Sequence, residues 1–416
     1  MANVDGTSFA ASPTTPAKLC ARVLLHRPSQ LNVACSRNGR ATRLRGISMI
    51  IRMNTCRRLA THWLSLWLLL GSVQAADVPR FSVDSSWPKP LPNQWLLGDI
   101  GGIAVDSRDH VWVYQRPRSL TEDERGATHE PPSAKCCRPA PPVLQFDTDG
   151  NLISAWGGPG PGYEWPEREH GIFVDAQDHV WIAGNGNTDA HVLQFTREGR
   201  FVQQIGRAGQ ISGSNSPTDL GRPAVAIVDT PTGELYIADG YANRRVLVLD
   251  AATGAYKRHW GAYGNRPDDT DLGKYDPAAP PAKQFRGSVH CVRISHEGLV
   301  YVCDRLNNRV QVFQRDGSFV TEYFLEPTTL HVGSVWDIAF SEDAKQRYMY
   351  VADGSNNEVH ILLRATGEPI GAFGRSGRQA GQFHWVHGIA ADSKGNIYTG
   401  EVDSGKRVQK FRRLPD

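Results

Sequence analysis

Residues 235–250, LYIADGYANRRVLVLD, contain two short apolar segments separated by a turn rich in Asp, Gly and Asn. Related patterns recur as VYVCDRLNNRVQVFQ at residues 300–314 and as MYVADGSNNEVHILL at residues 349–363. Short apolar segments bounded by such turn residues are typical of β-strands. Their recurrence along the chain indicates a protein built from copies of one supersecondary unit.

The full repeat contains four predicted strands, and five such units are followed by a sixth with only three strands, residues 387–414. Because a unit of this kind cannot bury a core alone, neighbouring units must pack against each other in a ring. The segment RFSVD, residues 80–84, can supply the missing strand and leave no open sheet edge. The sequence therefore predicts an all-β fold, a six-bladed β-propeller over residues 80–414 whose ring is closed by an N-terminal strand.

Residues 53–76 have the pattern of a secretory signal peptide. Arg57 and Arg58 precede an apolar run rich in Leu and Trp, and Val-Gln-Ala at residues 73–75 resembles a cleavage site. The apolar run is too short to span about 30 Å of hydrocarbon comfortably as a membrane anchor. We expect a secreted or periplasmic protein that leaves the membrane after cleavage, with residues 1–52 as an upstream extension absent from the mature protein.

Charge and cysteine content argue against two functions, nucleic-acid binding and a cysteine-ligated zinc site. The chain has 46 Lys and Arg against 43 Asp and Glu, a net charge of +3, and its basic residues are scattered, which disfavours nucleic acid as a partner. The cysteines beyond the signal segment lack the spacing of a zinc ribbon. Cys291 and Cys303 lie on two predicted paired strands, where a disulfide and two buried thiols are both compatible with the sequence. We expect a monomer with two long surface loops, residues 117–142 and 262–284.

One position of the repeat carries candidate metal ligands. At the start of the first strand the six units place, in order, Gly101, His170, Ala224, His290, Trp336 and His387. Alternate blades of a six-bladed ring are about a third of a turn apart and first strands line the channel, so the three imidazoles should converge. Although a single channel histidine is more often bonded to water, three imidazoles with an open fourth position are the usual ligands of catalytic zinc. The sequence predicts a zinc site at these three histidines, and surface positions for His110, His179, His259, His296 and His360.

Residues that follow the second strands should surround the channel mouth beside this metal. Arg116 and Arg305 occupy matching positions three blades apart, and Tyr241 lies one step further along in the third blade. Two guanidinium groups suit a carboxylate, and a phenol beside a divalent cation can act as a base. The ordinary alternatives are surface salt bridges for the two arginines and simple packing for the tyrosine.

The motifs DGYANRR, CDRLNNR and DGSNNEV resemble those of NHL-repeat propellers. The three histidines, combined with Tyr241, Arg305 and Arg116 in the same blades and order, resemble the site of the peptidyl-α-hydroxyglycine α-amidating lyases. The resemblance implies a zinc lyase that cleaves a peptidyl-α-hydroxyglycine, or a related small α-hydroxy amide, to an amide and glyoxylate. It further implies that Tyr241 is the general base and that both arginines orient the substrate and its carboxylate.

The same resemblance raises the question of a calcium ion in the channel. In those lyases an Asp after the third histidine helps to bind calcium, whereas Gly388 follows His387 here. The main-chain carbonyls of Ile103 and Ile172 would be the remaining calcium ligands. Two other classes compete with the lyase: a non-catalytic NHL-repeat propeller that binds a protein or peptide, and a calcium-dependent propeller hydrolase. The hydrolase would need hard oxygen ligands where this chain has imidazoles.

Overall fold

A computed structural model describes residues 78–415 of the chain. Within these residues the structure is almost entirely β, with short 3-10 turns at Pro117–Ser119, Asp123–Thr128, Ala262–Gly264 and Arg305–Asn307. Two short strands, β2 (Trp95–Leu96) and β5 (Arg138–Pro139), form a separate two-stranded sheet. Strand β1 (Phe81–Asp84) precedes blade 1 in the sequence but belongs to the last blade. The signal peptide expected at residues 53–76, and the extension before it, lie outside the described residues.

Six four-stranded antiparallel sheets form the blades of a propeller. Blade 1 comprises β3 (Asp99–Val105), β4 (Val111–Arg116), β6 (Val143–Phe146) and β7 (Leu152–Trp156). Blade 2 comprises β8 (Glu169–Val174), β9 (Val180–Gly184), β10 (His191–Phe195) and β11 (Phe201–Gly206). Blade 3 comprises β12 (Val225–Asp229), β13 (Glu234–Asp239), β14 (Arg245–Asp250) and β15 (Tyr256–Trp260).

The second half of the ring repeats the same order. Blade 4 comprises β16 (Val289–Ile294), β17 (Val300–Asp304), β18 (Arg309–Phe313) and β19 (Phe319–Phe324). Blade 5 comprises β20 (Asp337–Phe340), β21 (Tyr348–Asp353), β22 (Glu358–Leu363) and β23 (Glu368–Phe373). Blade 6 comprises β24 (Val386–Ala391), β25 (Ile397–Glu401), β26 (Val408–Arg413) and, from the other end of the described chain, β1.

The N-terminal strand closes the ring. In the antiparallel pair of β1 with β26, Phe81 lies opposite Arg413 and Val83 opposite Phe411. The Phe81 ring also packs against Tyr350 and Phe373 of blade 5, at centroid distances of 5.6 and 4.8 Å. These contacts confirm the predicted six-bladed propeller and its closure by an N-terminal strand.

The hydrophobic core is divided into six clusters, and each lies between two neighbouring blades. Each blade packs both of its faces against neighbouring blades. Successive apolar residues of a second strand are therefore buried alternately in the cluster on one side and the cluster on the other. Full burial of a Phe, Leu or Val side chain contributes about 1.5–3 kcal/mol relative to an exposed one. The buried Trp112 and Trp181 of the second strands each donate their indole N–H to a turn carboxylate, of Asp106 and Asp175, at 2.9 Å. The indole N–H groups of these two tryptophans are therefore satisfied within their own blades.

Loop 117–142 is tied to the N-terminal segment, because β5 pairs in parallel with β2. Cys291 and Cys303, which are paired residues of β16 and β17, form a disulfide. Among the described residues, none of the helical segments has the length and apolar character needed to cross a membrane.

Candidate metal centre

The first strands of the six blades line the channel, and His170, His290 and His387 meet there. The centroids of the three rings are 4.8, 4.8 and 4.9 Å apart, nearly an equilateral triangle. Each histidine is 4% exposed or less, and one ring nitrogen from each lies within 4.8 Å of the others. The structure therefore brings together the three residues that the repeat position singled out, in an arrangement that could hold one metal ion.

A local irregularity in the strands turns these side chains into the channel. The pairing of first and second strands shifts register at the histidine in blades 2, 4 and 6, between Glu169 and Ile172, Val289 and Cys291, and Val386 and Gly388. An extra residue of this kind re-aims a side chain and is common beside functional sites.

Backbone carbonyls orient two of the three rings. Nδ1 of His170 lies 2.8 Å from the carbonyl oxygen of Ala224, and Nδ1 of His290 lies 2.5 Å from that of Trp336. Because a carbonyl can only accept, these Nδ1 atoms carry the hydrogen and the Nε2 atoms present lone pairs. Metal-ligating histidines are commonly held in this way.

Two ring nitrogens of the cluster, Nε2 of His290 and Nδ1 of His387, are buried without a hydrogen-bond partner among residues 78–415. Burial is the largest cause that holds the pKa of all three imidazoles well below the ordinary value, and the positive charges of Arg116 and Arg305 contribute. The rings are therefore neutral at pH 7, which is the form that binds a metal. Neutral and convergent imidazole nitrogens, two of them unpartnered, fit a metal ion of the kind that prefers imidazole.

Tyr241 borders the histidines. Its hydroxyl lies 2.9 Å from Nε2 of His170, and its ring centroid is 5.0 and 5.8 Å from those of His170 and His290. The preceding Gly240 makes this approach feasible, because a Cβ there would lie 2.2–2.5 Å from backbone atoms of Val289. The tyrosine is part-buried, so its phenol lies between the buried histidines and the more accessible side of the site.

Arg305 is a buried guanidinium without an acidic partner among the described residues. It is 9% exposed, and its two side-chain hydrogen bonds are long, 3.5 Å to the Tyr241 hydroxyl and 3.3 Å to Ser288 Oγ. Its Nε has no hydrogen-bond partner within the described part of the chain, and its guanidinium carbon lies 4.6 Å from the ring centroid of Trp336. An unpaired buried charge is costly, so this arrangement favours an anionic ligand.

Arg116 approaches the same cluster from blade 1. Its Nε donates to the carbonyl of Glu169 at 2.7 Å, and its Nη1 lies 3.3 Å from a carboxylate oxygen of Asp99. It is 4% exposed. Arg116 is thus more firmly anchored than Arg305, and it lies next to the strand that carries His170.

Trp336 is a residue of the site to which the sequence reasoning gave no role. Its ring centroid lies 5.8 Å from that of His290 and 5.6 Å from that of His387, and its carbonyl orients His290. It occupies the same repeat position as the histidines, so the alignment of repeats already contained the signal. Trp336 therefore packs the blade 5 side of the histidine cluster.

No family model matches the chain. NHL repeat-containing protein 3 of Mus musculus is 27% identical over 356 residues, 80% of this chain and 84% of that protein. Peptidyl-glycine alpha-amidating monooxygenase B of Xenopus laevis is 23% identical over 341 residues, 79% of this chain and 35% of that protein. The probable peptidyl-alpha-hydroxyglycine alpha-amidating lyase pgal-1 of Caenorhabditis elegans is 21% identical over 329 residues, 76% of this chain and 83% of that protein. The chain is therefore similar, at low identity, both to NHL repeat-containing protein 3 and to amidating lyases.

Proposed function

With this similarity to amidating lyases as the premise, we propose that the chain is a zinc-dependent lyase that cleaves a peptidyl-α-hydroxyglycine, or a related small α-hydroxy amide, to an amide and glyoxylate. The observation that carries the proposal is the unpaired guanidinium of Arg305, which lies in hydrogen-bond reach of the hydroxyl of Tyr241. That hydroxyl in turn contacts a histidine of the cluster. A carboxylate receptor, a candidate base and a candidate metal site are thus contiguous.

The reaction needs no redox partner, since atoms and electrons balance within the substrate. The hydroxyl loses its proton, its oxygen forms the aldehyde carbonyl of glyoxylate, and the carbon–nitrogen bond breaks. The bonding electron pair goes to the nitrogen, which takes up a proton to complete the amide. A base for the hydroxyl proton is therefore the first requirement.

The chain supplies residues for each requirement. Tyr241 is the proposed base, since no other phenol among the described residues contacts the histidine cluster. Arg305 and Arg116 would hold the substrate carboxylate, and their planar donors match its geometry. His170, His290 and His387 would hold zinc. Bound there, zinc would supply a Lewis acid with an open position for a substrate oxygen.

A product assay tests the proposal. Zinc-loaded protein incubated with an N-acyl-α-hydroxyglycine should release glyoxylate and the N-acyl amide in equal amounts, above the rate of a protein-free blank. The matched glycine-extended compound, which lacks the hydroxyl, should release neither. Absence of both products from hydroxyglycine substrates of several lengths would remove the assignment.

A non-catalytic propeller that binds a protein or peptide is the second candidate. It is favoured by the similarity to NHL repeat-containing protein 3, whose name states no activity. A protein of this class would bind a hydroxyglycine peptide, or another peptide, and return it unchanged. The same assay separates the two candidates, because only the lyase forms glyoxylate.

A further inference from the structure

An ion pair lies in the channel beside the histidine cluster. Nη2 of Arg293 lies 2.7 and 2.9 Å from the two carboxylate oxygens of Asp337, and Nη1 donates to the carbonyl of Val292 at 2.9 Å. The Asp337 side chain is 10% exposed and that of Arg293 is 21% exposed. Such a pair is costly to break, because removal of one partner leaves the other charge buried and uncompensated.

The pair connects three blades at the level of the histidines. Arg293 is on β16, three residues after His290, while Asp337 directly follows Trp336, whose carbonyl orients His290. The carboxylate of Asp337 also accepts the backbone N–H of Ile389, two residues after His387, at 3.2 Å. One salt bridge therefore ties the His290 strand to the His387 strand through blade 5.

Arg293 also lines two cavities of the channel. A cavity of about 20 Å³ is lined by the three histidines together with Arg293, Asp337, Ile103 and Ile172. A second cavity of about 160 Å³ is lined by Arg293, Ile103 and Ile172 but by none of the histidines. The smaller cavity has room for about one water or ion.

This arrangement does not fit a calcium ion at the carbonyls of Ile103 and Ile172. Calcium takes six to eight oxygen ligands, with carboxylates prominent among them. Gly388 offers no carboxylate, and the carboxylate that does line the cavity, that of Asp337, is already held by Arg293 and by two backbone N–H groups. A divalent ion there would face a guanidinium of like charge.

We propose that Arg293 is a built-in cation that takes the place of a second metal ion in the channel and, through Asp337, positions His290 and His387. The positioning part rests on the metal site of the proposed function. The replacement of a metal by the guanidinium is independent of any reaction. Arg293 is thus a positioning residue, since it contacts none of the three histidines through a hydrogen bond.

Metal affinity tests the positioning role. Arg293→Met keeps an unbranched apolar stem but removes the guanidinium and its charge. If His290 and His387 are positioned through Arg293, their displacement should outweigh the relief of like-charge repulsion, so the variant should weaken Co²⁺ binding to the metal-free protein tenfold or more, the scale for loss of a ligand-supporting contact. Arg293→Lys, which keeps a cation, should recover most of that affinity. The matched control is Arg315→Met, because Arg315 forms a similar salt bridge outside the channel. Its Nε and Nη2 lie 2.7 and 3.1 Å from the carboxylate oxygens of the buried Asp229. Wild-type Co²⁺ affinity in Arg293→Met, or an equal loss in Arg315→Met, would overturn the role.

Calcium titration of the metal-free protein tests the replacement without any substrate. A Cβ at Gly388 would lie 3.9 Å from Oδ2 of Asp337 and 3.2 Å from a methyl group of Ile103, so a Cβ there requires only a small shift of Ile103. The double variant Arg293→Met/Gly388→Asp should bind about one Ca²⁺ per chain by calorimetry, and the wild type none. Two results would refute the proposal. One is Ca²⁺ binding by the wild type at a site for which neither Co²⁺ nor Zn²⁺ competes, and the other is a folded double variant that binds no Ca²⁺. A failed lyase assay would affect neither result.

Discussion

The hydroxyl of Tyr241 lies 2.9 Å from Nε2 of His170, the ring atom that presents its lone pair to the channel. Because that nitrogen accepts, the phenol donates, and the two groups are coupled across blades 2 and 3. Once the lone pair is used for a metal ion, the hydroxyl loses this acceptor and becomes available to a substrate. The relationship places the proposed base at the edge of the proposed metal site.

Tyr241→Phe should lower turnover of a peptidyl-α-hydroxyglycine by about 10²-fold or more, the usual scale for loss of a general base, with zinc content unchanged. Steady-state kinetics together with metal analysis would measure both quantities. The control is Tyr256→Phe, because Tyr256 is 43% exposed and its hydroxyl bonds to His259, outside the histidine cluster. Full turnover in Tyr241→Phe would show that another group takes the proton.

Arg305→Lys should discriminate between substrates that differ only in charge. The lysine keeps the positive charge but loses the planar pair of donors, so kcat/KM should fall more for a substrate with a free carboxylate than for its neutral ester. An equal fall in kcat/KM for the acid and the ester would mean that Arg305 acts by packing against Trp336 rather than by binding a carboxylate.

Alanine substitution of His170, His290 or His387 should each remove the metal, since two imidazoles rarely hold a divalent ion at neutral pH against dilution. His179→Ala should leave metal content unchanged, because His179 lies in a turn and contacts Asp175 at 3.3 Å. Metal analysis after dialysis would compare the four variants. Full occupancy in His290→Ala would exclude the three-histidine site.

Ring closure can be tested by truncation. Deletion of residues 1–75 should leave thermal stability and solubility intact, whereas deletion through Asp84 removes β1 and exposes the edge of β26. An exposed edge strand pairs with other chains, so the shorter protein should aggregate. Size-exclusion chromatography and thermal unfolding of both proteins provide the comparison, and equal behaviour would count against closure by β1.

The repeat pattern was sufficient to predict the blades and the histidine cluster, since both depend on residues at one fixed position of a unit. The same alignment held further information. One position after the histidines, the six units place Gly102, Gly171, Val225, Cys291, Asp337 and Gly388, and three positions after them Ala104, Phe173, Ile227, Arg293, Ala339 and Ala390. Arg293 and Asp337 are the charged residues in these two series. Their pairing could not be inferred, because it depends on how far neighbouring blades are displaced along the channel.

Contacts between blades also explain an error in the sequence interpretation. His360 was expected at the surface, but it is 5% exposed and lies 3.3 Å from a carboxylate oxygen of Asp353. The third strands are covered on both faces by neighbouring blades, so an alternating pattern within one blade does not reveal which polar residues are buried. The choice between a disulfide and two thiols at Cys291 and Cys303 likewise required the register of β16 and β17.

The central claim, that a metal ion held by three channel histidines enables a lyase reaction, is tested most directly by a zinc titration of glyoxylate release. Metal-free protein receives increasing zinc in the presence of a saturating N-acyl-α-hydroxyglycine, with His290→Ala in parallel. Glyoxylate production should rise linearly and reach its plateau at about one zinc per chain, and the variant should produce none above the protein-free blank. Release of glyoxylate at the same rate without zinc, or by His290→Ala, would contradict the account.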